Sequence, residues 1–165
     1  MDGAPPFRPV GARIAQAVRQ HAGRPAIVDP LSGRAVSYAE LEVRAHRVAA
    51  TLLERGGDRT QVVAILMKNG ADALGTALGV IMAGRYFVGL SMADEPQRNA
   101  DLLRAVKAEC LITHAPGAAM ARLMIDPQQL IHLDALPEAT VRPLAAEAVA
   151  PADPCFVVLT SGSTG

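Results

Sequence analysis

The chain has 165 residues, half of them apolar and 19% charged, which suits one globular domain with a real core. Lys plus Arg and Asp plus Glu number 16 each, so there is no electrostatic case for a nucleic acid or an anionic membrane as partner. Aromatic residues make up 3% and tryptophan is absent, which also argues against a base-stacking platform.

Residues 1–10 read as a loose lead-in. They carry an acid and three prolines and no apolar core, so a signal peptide is not predicted. A short helix over residues 12–21 places Ile14, Ala17 and Val18 on one face. Residues 26–28 and 34–36 form two short strands around the turn formers Asp29, Pro30, Ser32 and Gly33, the pattern of a β-hairpin. Ser37 and Glu40 have capping-box spacing. The helix they start runs to about Arg55, where Gly56 and Gly57 stop it. Its apolar stripe is Leu41, Ala45, Val48, Ala49 and Leu52; Glu42, Arg44, Arg47 and Glu54 are expected to face out. His46, with no partner in view, reads as surface decoration.

Residues 62–67 are a continuous apolar run, the mark of a strand covered on both faces. Residues 71–83 read as a buried helix in which Gly75 and Gly79 share a face and permit close packing. The most apolar window, residues 73–84, is too short to span a bilayer. Residues 86–90 are a second buried strand. Asp94 is the expected cap of the next helix, with Pro96 in its first turn and residues 100–108 continuing it. Residues 110–113 are a third strand, a weak helix follows over 118–124, and 130–133 is a fourth strand. Residues 134–154 are Pro- and Ala-rich and read as an irregular surface segment. Cys110 and Cys155, far apart and each at a strand start, read as small buried hydrophobes. A cytoplasmic protein is the default.

The alternation of strand and helix over residues 62–133 predicts an α/β fold: a mostly parallel sheet with right-handed crossovers and helices on both faces. A last buried strand, residues 156–159, feeds Thr160, Ser161, Gly162, Ser163, Thr164 and Gly165. In sheets of this kind ligands bind beyond the carboxyl ends of strands. Glycines let backbone N–H groups approach an oxyanion, and the hydroxyls add donors. By composition alone the six residues suit a phosphate loop or an ordinary Gly/Ser linker equally; the strand in front favours the loop. The G-x-x-x-x-G-K-[ST] and G-x-G-x-x-G patterns are both absent. The four histidines have no metal-ligand spacing, and Ser161 does not sit in a G-x-S-x-G elbow.

Thr160 to Gly165 resembles the T-S-G-[ST]-T-G phosphate loop of the adenylate-forming superfamily, which includes acyl-CoA synthetases and the adenylation domains of nonribosomal peptide synthetases. Residues 36–41, Val-Ser-Tyr-Ala-Glu-Leu, are similar to that superfamily's early [LV]-[TS]-Y-x-E-L segment. Residues 83–90, with Pro96 and Arg98, are similar to its A-G-x-x-x-V-P-L-D-P…P…R segment; Gly89 and Ser91 stand where proline and aspartate are usual. The resemblance runs from about Arg24 to Gly165 and leans slightly toward peptide-synthetase adenylation domains.

It implies that residues 1–165 are an incomplete N-terminal subdomain of an adenylate-forming enzyme, truncated within the phosphate loop and inactive alone. It implies ATP and Mg²⁺ as cofactors, a small-molecule carboxylate or amino acid as substrate, and CoA or a carrier protein's phosphopantetheine as thiol acceptor. It places Thr160, Ser161, Gly162, Ser163, Thr164 and Gly165 on the β- and γ-phosphates; catalytic and metal-binding residues are implied elsewhere in the family fold. No nucleic acid and no membrane span are expected. The alternative is a non-catalytic αβ interaction or nucleotide-binding domain that keeps the loop without the chemistry.

Overall fold

The computed structural model describes residues 7–29, 33–57, 61–138 and 149–158. Helix α1 (Val10–His21) leads to a hairpin of β1 (Pro25–Val28) and β2 (Ala35–Ser37), paired antiparallel with Ile27 opposite Val36. Helix α2 (Tyr38–Arg55) starts at the predicted capping box. Ser37 Oγ accepts from the Glu40 amide at 3.2 Å, and the Ser37 amide donates to Glu40 Oε2 at 2.7 Å, so each satisfies an amide that the first helical turn leaves unpaired. Gly56 ends the helix at φ +67°, a left-handed conformation in which glycine has no Cβ to clash.

The remaining elements alternate: β3 (Val62–Leu66), α3 (Ala71–Met82), β4 (Tyr86–Leu90), α4 (Pro96–Ala105), β5 (Ala108–Thr113), α5 (Ala118–Ala121), β6 (Leu130–His132) and β7 (Phe156–Val157). The five strands β3 to β7 form one sheet in the order β6-β5-β3-β4-β7. Every pairing in it is parallel, so all carboxyl ends lie along one edge. Helices cover both faces. On one, Val48, Ala49 and Leu52 of α2 and Ala77 and Val80 of α3 pack against Val63, Ile65, Cys110 and Ile112. On the other, Leu103 of α4 and Ala121 of α5 pack against Val62, Ala64, Leu66, Val88 and Leu111. The central strand β3 is buried at all five positions, as its unbroken apolar run requires.

Gly75 and Gly79 bring α3 against α2. A Cβ on Gly79 would stand 2.5 Å from the Ala45 carbonyl oxygen and 2.6 Å from Val48 Cβ. Among the described residues no helix is long and apolar enough to cross a membrane.

Several sequence expectations fail in detail. Helix α4 stops at Ala105, not at residue 108. Lys107 takes φ +51° and Ala108 already belongs to β5, so the chain reverses within two residues. Glu95, not Asp94, occupies the cap position and makes no side-chain cap bond. Asp94 instead stands 3.6 Å from Arg98. Phe156 is 56% exposed and Val157 half-buried; among the described residues β7 pairs with β4 and no other strand. Leu159 of the predicted strand lies outside the described residues. Cys110 is buried as expected, but Cys155 is half-buried.

Helix α2 departs most. His46 is 5% exposed, and its Nε2 stands 3.8 Å from Oε1 of the half-buried Glu42. Arg44 pairs with Asp72 at 3.3 Å. Arg47 donates to the backbone carbonyls of Leu136 and Pro137, and Arg55 donates to that of Gln128 at 2.7 Å. Two arginines of one helix thus bind the chain on either side of β6.

Candidate functional site

The sheet's carboxyl edge is where a parallel α/β fold presents its ligand site. Strand β7 delivers the chain to that edge beside β4, with Phe87 opposite Phe156 and Val88 opposite Val157. The two phenyl rings lie 6.0 Å apart, tilted by 34°. The six predicted loop residues, Thr160 to Gly165, lie outside the described residues. The structure therefore gives the strand that leads to the loop and the neighbours at its root.

Along the same edge, the exits of the other strands are tied by hydrogen bonds. At the end of β5, Thr113 Oγ1 donates to the Leu66 carbonyl at 2.7 Å, tying β5 to the exit of β3. Gly117 packs against this pair so closely that a Cβ there would overlap Thr113 Oγ1. Ala115 N donates to Asp134 Oδ2 at 2.7 Å, tying the exit of β5 to that of β6. At the exit of β4, the Ser91 carbonyl accepts from Asn99 Nδ2 at 2.8 Å and from the Asp94 amide at 3.3 Å. Ser91 Oγ accepts from the Ala93 amide at 3.1 Å.

The opposite, amino edge is held by Arg85, which is 4% exposed. Its guanidinium pairs with Glu109 of β5 and donates to the carbonyls of Gly56 and Leu52 at the end of α2. Near this edge lies a cavity of about 570 Å³, bounded by Val10, Ala15, Met82, Cys155, Glu42 and His46 among others. Burial pushes the Cys110 thiol up to about 11, with the Glu109 carboxylate adding to the shift. Burial also raises the Cys155 thiol. Both sulfurs are held in the unreactive protonated form at neutral pH. Among the described residues no group of three or more His, Cys, Asp or Glu side chains could hold a metal ion.

The sequence did not single out Arg85, Glu109 or Asn99. Their partners lie eight to 33 positions away, so no local pattern marks them.

The AMP-binding enzyme family matches residues 14–165. The chain belongs to the AMP-binding enzyme family. It is 30% identical over 166 residues to surfactin synthase subunit 3 of Bacillus subtilis, covering 96% of this chain and 12% of that protein. It is 34% identical over 175 residues to the isonitrile lipopeptide synthase of Streptomyces coeruleorubidus, covering all of this chain and 11% of that protein. The AMP-binding chain thus spans about a tenth of the length of these relatives. Among solved structures it resembles the nonribosomal peptide synthetase FmoA3 in its alpha-methyl-L-serine-AMP bound form, with a TM-score of 0.84 and 25% identity over 98% of this chain and 18% of that one. The N-terminal domain of FACL13 from Mycobacterium tuberculosis shares its fold, with a TM-score of 0.75 at 22% identity over 96% of this chain and 42% of that one.

Proposed function

We propose that this chain is part of an adenylate-forming ligase, which activates a carboxylic or amino acid with ATP and passes the acyl group to a thiol. The reading is carried by the motif Thr160-Ser-Gly-Ser-Thr-Gly165, which follows the parallel strand β7 in the sequence of a chain of the AMP-binding family. In the first step a carboxylate oxygen attacks the α-phosphorus of ATP. The bond to the bridging oxygen breaks, and pyrophosphate leaves from an acyl-adenylate. In the second step a thiol sulfur attacks the acyl carbon, losing its proton, and AMP leaves.

Thr160, Ser161, Ser163 and Thr164 supply hydroxyl donors, and the loop's amides add more. Gly162 and Gly165 permit the backbone path. Their proposed task is to hold the β- and γ-phosphates, the leaving group, where donors aimed at developing charge lower the barrier and positioning lowers it further. Among the described residues no group of three or more His, Cys, Asp or Glu side chains could hold the Mg²⁺ that would accompany ATP. The thiol belongs to CoA or to a carrier protein's phosphopantetheine; likeness to the large synthases favours a carrier. A cytoplasmic location goes with this reading, as does a division in which residues 1–165 are part of the N-terminal domain, with 134–154 a surface connection.

The test is ATP–pyrophosphate exchange by the full-length gene product against a panel of carboxylic and amino acids. Acid-dependent exchange is expected. ATP binding with no exchange for any acid would favour the non-catalytic reading, and clear exchange by residues 1–165 alone would overturn the division proposed here.

A further inference from the structure

We propose that the cavity at the amino edge of the sheet is a binding site for a small primary amine with an apolar body, whose ammonium group is held by Glu42 and His46. Nothing in this site depends on the adenylation chemistry proposed above.

The cavity measures about 570 Å³, within the roughly 300–1,000 Å³ usual for small-molecule sites. Gly84 and Arg85, just before β4, and Cys155, just before β7, set it at the amino ends of two paired parallel strands. Helix α1 supplies Val10 and Ala15, and the end of α3 supplies Ile81 and Met82, so most of the wall is apolar. Phe7 and Val10 line the cavity and are themselves exposed, which leaves a way in at the start of α1.

Within this wall two polar side chains of α2 stand one turn apart. His46 is buried, and its Nε2 lies 3.8 Å from Oε1 of the half-buried Glu42, too far for a hydrogen bond. Among the described residues neither side chain has another hydrogen-bond or ion-pair partner. A half-buried carboxylate beside an unbonded imidazole forfeits the donors that water would give it. Apolar side chains would close the wall without that cost.

The charges around the cavity favour a cation. Arg85 is already paired with Glu109. That leaves the exposed Arg19 against two carboxylates, Glu42 and Asp153. The gap between Glu42 and His46 suits one nitrogen, which can sit about 2.8 Å from both atoms and donate to each. A primary ammonium has three N–H donors for this, and a neutral imidazole nitrogen can accept one of them. The carbon body then lies along Val10, Ala15, Ile81 and Met82. An alcohol has one donor and satisfies one of the two acceptors; a carboxylate ligand would meet Glu42 with like charge.

The experiment is photolabelling of the full-length gene product at neutral pH with a diazirine-bearing octylamine. Labelled peptides are mapped by mass spectrometry, with n-octylamine, 1-octanol and octanoate as competitors. Label should fall on peptides that hold residues 10–15 and 81–85. Octylamine should displace it at a concentration at least about tenfold below that needed of octanol or octanoate, the scale of one hydrogen bond to a charged group. Glu42→Gln, which keeps the shape and removes the charge, should weaken octylamine by about tenfold at an unchanged melting temperature. Absence of displaceable label on those peptides would overturn the site. Displacement by octanol or octanoate as readily as by octylamine would overturn the ammonium assignment and leave an unselective apolar cavity. Unchanged octylamine affinity in Glu42→Gln would overturn the role of Glu42. The competitor series needs no variant, so it decides the matter even where Glu42→Gln unfolds.

Discussion

Arg85 and Glu109 meet across the amino ends of β4 and β5, with the start of β3 between them. The guanidinium also caps the end of α2 through the Gly56 and Leu52 carbonyls. One buried cation therefore joins two strands and a helix. Removing it strands the partly buried Glu109 carboxylate and two carbonyls. Arg85→Ala should cost about 3 kcal/mol in urea unfolding, the usual penalty for breaking a buried pair. The double variant Arg85→Met with Glu109→Gln should lose clearly less, because no uncompensated charge remains.

Ser37→Ala removes the acceptor for the Glu40 amide and should cost about 1 kcal/mol. Its pH dependence follows from Glu40. The bonds from Ser37, backbone first and then hydroxyl, hold the Glu40 carboxyl below its ordinary value. A carboxyl lowered in the folded state contributes stability above its unfolded pKa and loses it as pH falls through the folded pKa. The penalty of Ser37→Ala should therefore be constant near neutrality and shrink below the ordinary carboxylate range, as unfolding at pH 7 and pH 3 would show.

Gly79→Ala pits two effects against each other. Alanine gains about 1 kcal/mol in helix propensity, but its Cβ meets the Ala45 carbonyl and Val48 Cβ, neither of which can swing away. Overpacking of this kind costs about 1–3 kcal/mol. Net destabilisation of about 1 kcal/mol is expected. Gly75→Ala, whose Cβ would be 2.9 Å from Arg44 Cβ at the half-buried rim, should be milder.

Thiol labelling at neutral pH should modify Cys155 slowly and Cys110 only on unfolding. Both thiols are raised by burial, Cys110 to about 11, and Cys155 is the more accessible. Mass spectrometry after iodoacetamide treatment, with and without urea, checks the order.

If residues 160–165 form the proposed phosphate loop, Thr164→Ala in the full-length gene product should reduce ATP–pyrophosphate exchange by about tenfold to a hundredfold, matching one hydrogen bond to a charged group at about 1.5–3 kcal/mol. Its unfolding midpoint should match the wild type.

The capping box, the strand–helix alternation and the glycine contact of α3 were legible because each is written in residues a few positions apart. The partners of Arg47, Arg55, Arg85 and His46 were not. Arg47 reaches 89 positions to Leu136, and nothing beside it in sequence distinguishes it from Arg44. His46 lies beside the apolar stripe of α2, and only the packing around that helix shows it to be buried. Phe156 and Val157 read as buried because an apolar run does not say how its strand is flanked, and among the described residues β7 pairs with β4 only. The proposed phosphate loop rests on its motif, and its placement falls outside the described residues.

The contact between Phe87 and Phe156 carries one last consequence. In the described residues, β7 is paired at Phe156 and Val157 alone. A slip of one rung would raise or lower whatever follows by about 3.3 Å and swap its two faces. It would also part the two rings. The aromatic pair works as a detent: it favours one height of the strand against β4.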